Sequence, residues 1–209
     1  MPKVTDYKTQ IKSVVILVVS SRCHWYEFFA CINMSEIWTI GHSTHTLEHF
    51  ISLLKSFDIR LLADIRRFPG SRRLPHFSKE NLSAALETQG ITYEHFEALG
   101  GRRNPKPDSK NDGWRVLAFR GYADYMETES FQLAADNLAR KARETRTAYM
   151  CSEAVWWSCH RALLSDYLKV RGWKVLHIMS GSKADEHPYT KPARIIDEKL
   201  SYGKNATLF

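Results

Sequence analysis

The feature that most constrains the fold is an alternation, beginning at Glu36, of short apolar runs with longer stretches that carry apolar residues at helical spacing. A short apolar run bounded by turn residues predicts a buried strand, and apolar residues at i, i+3 and i+4 predict an amphipathic helix. Strands that alternate with helices favour right-handed crossovers. We therefore predict an α/β domain with a mostly parallel sheet of about five strands and helices on both faces. The predicted strands are 37–40, 59–63, 91–93, 147–150 and 173–178, and the predicted helices are 46–57, 78–89, 122–127, 131–144 and 159–170.

The composition sets the class of protein. The chain has 209 residues, of which 44% are apolar and 25% charged, with 10 Gly, 7 Pro and 4 Cys. These values exclude a disordered chain, a collagen-like repeat and a disulfide-stapled mini-protein. A chain of this length buries about 70% of its unfolded surface, so one domain needs neither a metal nor a disulfide for stability. The formal net charge of +7 favours anionic partners.

Residues 1–33 differ in character from the rest of the chain, because three lysines precede the apolar run 14–19 and an aromatic-rich stretch follows it. This run is too short to span a bilayer, which takes about 20 residues, and too short for the apolar part of a signal peptide. A strand begins after Met34 without needing anything upstream. We therefore expect residues 1–33 to be a dispensable extension or a mis-assigned start, and residues 34–209 to form a single domain. We also expect a cytoplasmic protein with no membrane partner.

Polar and reactive residues follow the predicted strands at their carboxyl ends. In open parallel sheets these ends lie at one edge, and ligands bind in the crevice beyond them. We therefore expect these residues to gather into one site. The C-terminal stretch is predicted as a loop with a short helix around 193–200, and we expect it to fold back and close this site. The residues in question are 41–44, 64–67, His95, 151–153 and His177.

The stretch 149–161, Tyr-Met-Cys-Ser-Glu-Ala-Val-Trp-Trp-Ser-Cys-His-Arg, is the most informative. It puts Cys151 at the end of a strand, and Cys159, His160 and Arg161 at the start of a helix. A helix N-terminus and cationic neighbours lower the pKa of a thiol from about 8.5 toward neutrality, and free backbone N–H groups there also bind anions. The stretch predicts a reactive thiol or an anion site, with Glu153 as an acid or as a partner of Arg161.

Three other roles for the two cysteines stay open. They are small buried hydrophobes, or the ends of a disulfide, which a reducing cytosol disfavours, or ligands of zinc together with His160. The Cys-x7-Cys-His spacing lacks the short pairs of a structural zinc site, and zinc would need a fourth ligand such as His42. No cofactor is firmly implied. Zinc is the one cofactor that these residues could bind.

Two loops are rich in arginine. Asp64 at a strand end precedes four arginines between positions 66 and 73, and Gly100-Gly101-Arg102-Arg103 opens a long loop that ends near position 112. Guanidinium groups bind phosphate or carboxylate in a bidentate way, which favours an anionic ligand. The alternative is a solvated basic loop with an ion pair between Asp64 and Arg66.

Candidate roles follow from these patterns. The histidine after the first strand is a base or a hydrogen-bonded turn residue, and the tryptophans of the cysteine loop offer faces for stacking or for packing. The candidate catalytic residues are Cys151, Glu153, Cys159, His160, His42 and Asp64, and the candidate substrate-binding residues are Gly41, Ser43, Arg66, Arg67, Ser71, Tyr93, Gly100, Gly101, Trp157 and Arg161.

At these residues the chain resembles the family known as domain of unknown function 488. The similarity covers about residues 36–180, and its most specific part is the Cys-x-Glu…Cys-His-Arg pattern of 151–161. The other matching segments are 39–43, 64–66 with Pro69 and Ser71, 90–93 and 99–101. The resemblance implies a bacterial-type cytoplasmic α/β domain. A looser similarity links the cysteine loop to rhodanese-type and cysteine-phosphatase domains, but here the next arginine lies ten positions after Cys151, so their tight Cys-x5-Arg cradle is absent.

We expect an enzyme of the hydrolase or transferase type, thiol- or metal-dependent, that acts on a small anionic substrate such as a nucleotide or a modified base. Cys151 is the expected nucleophile or redox thiol, with His160 or His42 handling the proton. The anionic group is expected to bind Arg66, Arg67 and Arg161. One alternative is a nucleic-acid-binding module that uses the arginine-rich loops, and another is a zinc-stabilised domain without catalysis. The sequence carries no signal for an oligomeric state.

Overall fold

The computed structural model describes residues 35–70 and 73–204. The predicted extension 1–33 and the candidate residue Ser71 lie outside these residues. The strands of the main sheet are β1 (Glu36–Gly41), β2 (Leu61–Asp64), β3 (Thr92–His95), β4 (Thr147–Cys151), β5 (Lys174–Ser180) and β6 (Lys183–Glu186). The α-helices are α1 (Leu47–Ser56), α2 (Lys79–Glu87), α3 (Leu117–Met126), α4 (Glu129–Glu144) and α5 (Arg161–Val170), and a short hairpin, β7 (Arg194–Ile196) with β8 (Lys199–Ser201), follows near the C-terminus.

The main sheet has the strand order β3-β2-β4-β1-β5-β6. The first five strands in this order are parallel, and β6 pairs antiparallel with β5. The predicted mostly parallel α/β fold is therefore confirmed. Strand β6 was not predicted, because Lys-Ala-Asp-Glu is a charged edge strand without a hydrophobic run.

Side-chain caps fix where three of the helices begin. Thr46, Ser78 and Thr128 precede α1, α2 and α4, and each accepts a hydrogen bond from the backbone N–H three residues on. A cap of this kind satisfies one of the N–H groups that a helix leaves free at its start. The cap at Ser78 agrees with the sequence prediction. The backbone N–H of the next residue, Lys79, donates to the carbonyl oxygen of Pro69 in the loop that follows β2.

Helices cover both faces of the sheet, as predicted. Side chains of α1 and α2 pack on one face, around Phe50, Leu54 and Leu82. Side chains of α3, α4 and α5 pack on the other face, around Tyr122, Phe131 and Leu163. Apolar burial against both faces, at about 25 cal/mol per Å², supplies the main driving force for this layered arrangement. None of the helices in the described part of the chain is long and apolar enough to cross a membrane.

The strand order creates a crevice at the carboxyl edge of the sheet. The connection from β1 to β2 runs through α1 on one face, whereas the connection from β4 to β5 runs through α5 on the other face. Loops that leave neighbouring strands toward opposite faces separate and leave a space between them, and this is where open parallel sheets bind ligands. The crevice here lies beyond the ends of β1, β2 and β4.

The predicted helix around 193–200 is wrong, because this stretch forms the β7–β8 hairpin. Asp197 and Glu198 at its turn both have positive φ angles, 47° and 61°. Two consecutive residues of this kind form the turn that matches the twist of a hairpin and interrupt any helix. The chain then reaches Tyr202, which is buried beside Trp114 and donates a hydrogen bond to Asp166 on α5.

Candidate functional site

Two cysteines and a histidine meet at the carboxyl edge of the sheet. Cys151 is the last residue of β4 and pairs with Gly41 of β1, while Cys159 and His160 directly precede α5. The Sγ atom of Cys151 lies 3.9 Å from Nδ1 of His160, and that of Cys159 lies 3.6 Å from the same nitrogen. All three donor atoms lie within 4.8 Å of one another. We call Cys151, Cys159 and His160 the Cys–Cys–His cluster.

The hydrogen bond of the second ring nitrogen fixes the tautomer of His160. Nε2 lies 3.1 Å from the backbone carbonyl oxygen of Ile65, which follows β2. Because a carbonyl oxygen only accepts, Nε2 carries the proton and donates it. Nδ1, the other ring nitrogen, faces both sulfur atoms, and in the neutral ring it carries the lone pair.

The two thiols differ in acidity. Cys159 lies at the N-terminus of α5; burial opposes its ionisation, but the hydrogen bond from Cys151 and the Arg161 guanidinium lower its pKa to about 7. The hydrogen bond to Cys159, together with burial, raises the pKa of Cys151 to about 12. Cys159 is therefore the more acidic thiol of the pair. Both are free thiols in this structure, with no disulfide between them.

The cluster forms part of the wall of an open cleft of about 390 Å³. This volume is in the range of small-molecule sites, roughly 300–1,000 Å³. The cluster itself is almost inaccessible to solvent, with 3% of Cys159 and 9% of His160 exposed. The rest of the cleft includes Glu153 beside the cluster, Arg67, Phe68 and Arg102 from the two arginine-rich loops, and Phe119 from α3.

Arg161 lies beneath the loop 152–158 rather than in the cleft. It is 2% exposed, and its NH2 group donates hydrogen bonds to the carbonyl oxygens of Glu153, at 2.6 Å, and Ala154, at 3.2 Å. Its NH1 group donates to Thr39 of β1. Arg161, predicted to bind a substrate, instead holds the loop against the sheet in this structure.

Gly41 has a related packing role. A β-carbon at this position would lie 1.8 Å from the carbonyl oxygen of Glu153 and 2.8 Å from the NH2 group of Arg161. The close approach of the loop to β1 therefore requires glycine. The neighbouring Ser43 has a φ of 46° and donates its N–H to the carbonyl oxygen of Ser152, so these residues extend the pairing of β1 with β4 beyond the strands.

Asp64 and Arg66 form a buried ion pair that leaves little for a substrate. The Nε and NH2 groups of Arg66 donate to the Asp64 carboxylate, and its NH1 group donates to the carbonyl oxygen of Phe77 at 2.8 Å. The hydroxyl of Tyr93 also donates to Asp64, at 2.7 Å. These contacts use most of the N–H groups of Arg66. In this structure the candidate residues Asp64 and Tyr93 therefore support the loop after β2.

His42 borders the cleft as a neutral ring. Its Nδ1 donates to the carbonyl oxygen of Ser43, and its Nε2 faces NH1 of Arg66 at 3.4 Å. Burial and the Arg66 charge lower the pKa of His42 to about 4, and the ring stacks on Phe77. Both ring nitrogens are therefore engaged, and His160 rather than His42 faces the thiols.

Two arginines are left for an anion. Arg67 donates one hydrogen bond to the carbonyl oxygen of Arg102, and the Arg102 side chain is exposed at the cleft. Arg103, in contrast, stacks on the ring of Tyr125, with 3.6 Å between its guanidinium carbon and the ring centroid. The two glycines of this loop are packing residues: a β-carbon at Gly100 would lie 2.7 Å from the backbone of Arg67, and one at Gly101 would lie 2.8 Å from Nδ1 of His160.

Other predicted residues lie away from the cleft. Trp157 is exposed and is not among the residues that line the cleft. Its neighbour Trp156 stacks on His177, with 4.5 Å between the ring centroids. His177 lies within β5 rather than after it, and His95 faces the carbonyl oxygen of Arg66 at 2.8 Å.

Sequence reasoning missed Phe119 and the Ile65 carbonyl. Phe119 lines the cleft from α3, and the Ile65 carbonyl orients His160. Neither carries a local signal, because one is an ordinary apolar residue and the other a backbone atom.

Comparison with known proteins gives a family and nothing finer. Neither the curated proteins nor the solved structures include a significant match to the chain. A family model matches residues 46–168, which is more than half of the chain and includes the whole Cys–Cys–His cluster. The chain therefore belongs to the family described as domain of unknown function DUF488, as its motifs predicted.

Proposed function

We propose that this protein is an enzyme of the hydrolase or transferase type, that it acts on a small anionic substrate such as a nucleotide or a modified base, and that the Cys–Cys–His cluster is its reaction centre. One observation carries the proposal: Nδ1 of His160 faces two sulfur atoms, at 3.6 and 3.9 Å, in the wall of a cleft. A nucleophile beside a base that a third group orients is the arrangement that activates side chains for catalysis. Here the Ile65 carbonyl is the orienting group.

The charges of the cleft support an anionic substrate. Asp64 neutralises Arg66, so among the described residues that line the cleft the remaining charged side chains are Arg67 and Arg102, opposed by Glu153. Guanidinium groups at a partly desolvated site bind phosphate or carboxylate strongly. The exposed ring of Phe68, 61% accessible beside Arg67, offers a face for a base or sugar.

A nucleic-acid-binding module is the weaker reading of the same arginines. Arg66 is held by Asp64, and Arg103 is stacked on Tyr125, so two of the arginines expected to contact phosphates are engaged within the protein. Arg72 lies outside the described residues. A binding surface also gives no role to two thiols and an imidazole that share one point.

The proposal is tested by incubating the purified protein with nucleoside mono- and diphosphates, phosphorylated sugars and modified nucleoside monophosphates, and following each compound by chromatography and mass spectrometry. We expect at least one compound to be consumed, and His160→Ala to abolish its consumption. The matched control Arg60→Gln removes an exposed arginine at the opposite, amino-terminal edge of the sheet and should leave the rate unchanged. If no compound is consumed or bound, or if His160→Ala is as active as the wild type, the proposal is wrong. Steeply salt-dependent binding of oligonucleotides without turnover would favour the binding module instead.

A further inference from the structure

We propose that the Cys–Cys–His cluster is a zinc site with three protein ligands and a fourth coordination position open to the cleft. The site itself rests on the donor geometry, and its catalytic role rests on the function proposed above.

The spacing of the donor atoms fits tetrahedral zinc. Zn–S bonds of about 2.3 Å and Zn–N bonds of about 2.0–2.1 Å, at tetrahedral angles, place sulfur and nitrogen about 3.6 Å apart and two sulfurs about 3.8 Å apart. The observed Sγ to Nδ1 distances are 3.6 Å for Cys159 and 3.9 Å for Cys151, and the three donors lie within 4.8 Å of one another. The two sulfur–nitrogen distances therefore match zinc ligation to within about 0.3 Å, and the two sulfurs need to approach each other by at most about 1 Å to hold the ion.

The surroundings of the cluster are those of a metal-binding histidine. Such a histidine binds the metal through one nitrogen and donates its other N–H to a carboxylate or backbone carbonyl, which fixes the tautomer. His160 donates Nε2–H to the Ile65 carbonyl oxygen, so the ligating nitrogen is Nδ1, on the side of the two sulfurs. A cysteine nucleophile paired with histidine needs one sulfur, whereas both sulfurs lie beside this nitrogen.

The number of ligands argues for a catalytic rather than a structural metal. Structural zinc is enclosed by four protein ligands, whereas catalytic zinc has three and a water. Among residues 35–70 and 73–204, three side chains can act as ligands at this site, namely those of the Cys–Cys–His cluster. The fourth ligand considered from the sequence, His42, instead turns Nε2 toward Arg66 and Nδ1 toward the Ser43 carbonyl. All three members of the cluster line the cleft, so we place the fourth position on the cleft side.

The chemistry of binding and of hydrolysis balances. Zinc displaces one proton from each thiol and none from neutral His160, so two protons are released and the two thiolates neutralise the ion. A water in the fourth position gives one proton to Glu153, the carboxylate among the cleft-lining residues described. The resulting hydroxide bonds to the substrate electrophile, the bond to the leaving group breaks with its electron pair, and Glu153 returns the proton to that group.

Metal analysis of the full-length protein is the first test. After removal of free metal we expect about one zinc per chain, as a three-ligand site predicts. The variants Cys151→Ser, Cys159→Ser and His160→Gln should each lower the zinc content at least tenfold. The control Cys23→Ser/Cys31→Ser removes the other two cysteines of the chain and should retain full zinc. Zinc retained in all three cluster variants, or lost only in the control, overturns the site.

Cobalt substitution is the second test, and it does not depend on whether the variants fold. The wild-type protein is stripped with a chelator and titrated with Co²⁺, and we expect a sulfur-to-cobalt charge-transfer band together with the visible bands of a tetrahedral ion. Added azide should shift the visible bands, because it binds at the open position. The absence of zinc and of the charge-transfer band overturns the site, and a spectrum that azide leaves unchanged overturns the open position.

The two proposals fail in different ways. Zinc present without consumption of any compound leaves the metal site standing and removes the proposed function. Consumption that depends on His160 in a protein without zinc removes the metal site and leaves a thiol enzyme.

Discussion

Gly101 and His160 are in contact across the cleft wall, and the contact leaves no room for a side chain at position 101. An added β-carbon would lie 2.8 Å from Nδ1 of His160, the nitrogen that faces both sulfurs. Real β-carbons essentially never approach another atom so closely, so the ring or the loop must move. The glycine of this arginine-rich loop thus leaves room for the ring of His160 in the proposed reaction centre.

We predict that Gly101→Ala lowers zinc affinity, and any turnover, by about tenfold or more, because misplacing a reacting group by a fraction of an ångström carries a cost of this order. Zinc competition with a chromogenic chelator measures the affinity. Gly70→Ala is the matched control, since a β-carbon there meets no atom within 4 Å, and it should change the affinity little. Equal affinities of the two variants would show that position 101 does not set the ring.

Arg161→Lys should destabilise the fold by roughly 2–4 kcal/mol, because a lysine cannot replace the guanidinium bonds to the Glu153 and Ala154 carbonyls and leaves buried acceptors unpaired. Urea unfolding measures the loss. Arg140→Lys, in an exposed pair with Glu144, is the control and should change the free energy of unfolding by less than about 0.5 kcal/mol. A loss as small as that of the control would contradict the loop-holding role of Arg161.

Arg102→Gln should weaken substrate binding without abolishing the reaction. Arg102 is exposed and lines the cleft, and none of its contacts is with the cluster in the hydrogen bonds described, so we expect KM to rise about tenfold while kcat falls less, as for loss of uniform binding. The dependence of KM on salt should also decrease. Steady-state kinetics on the compound identified above measure both. A fall in kcat at unchanged KM would instead place Arg102 at the transition state.

Stability should decrease as the pH falls below about 6.5, in part through His177. Burial and the nearby His187 and Arg161 lower the pKa of His177 from 6.5 to about 2. The unfolded chain therefore binds a proton here below pH 6.5 that the folded chain excludes, so this contribution is complete above pH 6.5 and is lost on acidification. At pH 5 the loss is about 2 kcal/mol.

His177→Gln should reduce the loss of unfolding free energy between pH 7.5 and pH 5 by about 2 kcal/mol, measured by urea denaturation at both values. His49→Gln, which changes an exposed histidine, is the control and should leave the difference close to that of the wild type. An unchanged difference in His177→Gln would show that His177 is not buried as a neutral ring.

Much of the architecture was readable from residue patterns. The run at Ile37–Ile40, the spacing of Phe50 and Leu54, and the cap at Ser78 each predict an element that the structure contains. The hairpin at 194–201 was not readable, since its two positive-φ residues are Asp197 and Glu198 rather than the Asn-Gly or Asp-Gly that marks such a turn.

The sequence by itself determined the layered α/β fold, because hydrophobic period and chain order are local properties. Its resemblance to the family, carried by motifs such as 151–161, indicated the family that the family model shows. Only the tertiary structure decided what each residue does there. It placed Arg161 beneath the loop, paired Arg66 with Asp64, and turned His160 toward two sulfurs through the Ile65 carbonyl. The bond from His160 to the Ile65 carbonyl joins residues 95 apart, and the bond from Arg161 to Thr39 joins residues 122 apart. No local sequence pattern encodes contacts between residues so far apart, because the order in which the strands pair brings them together.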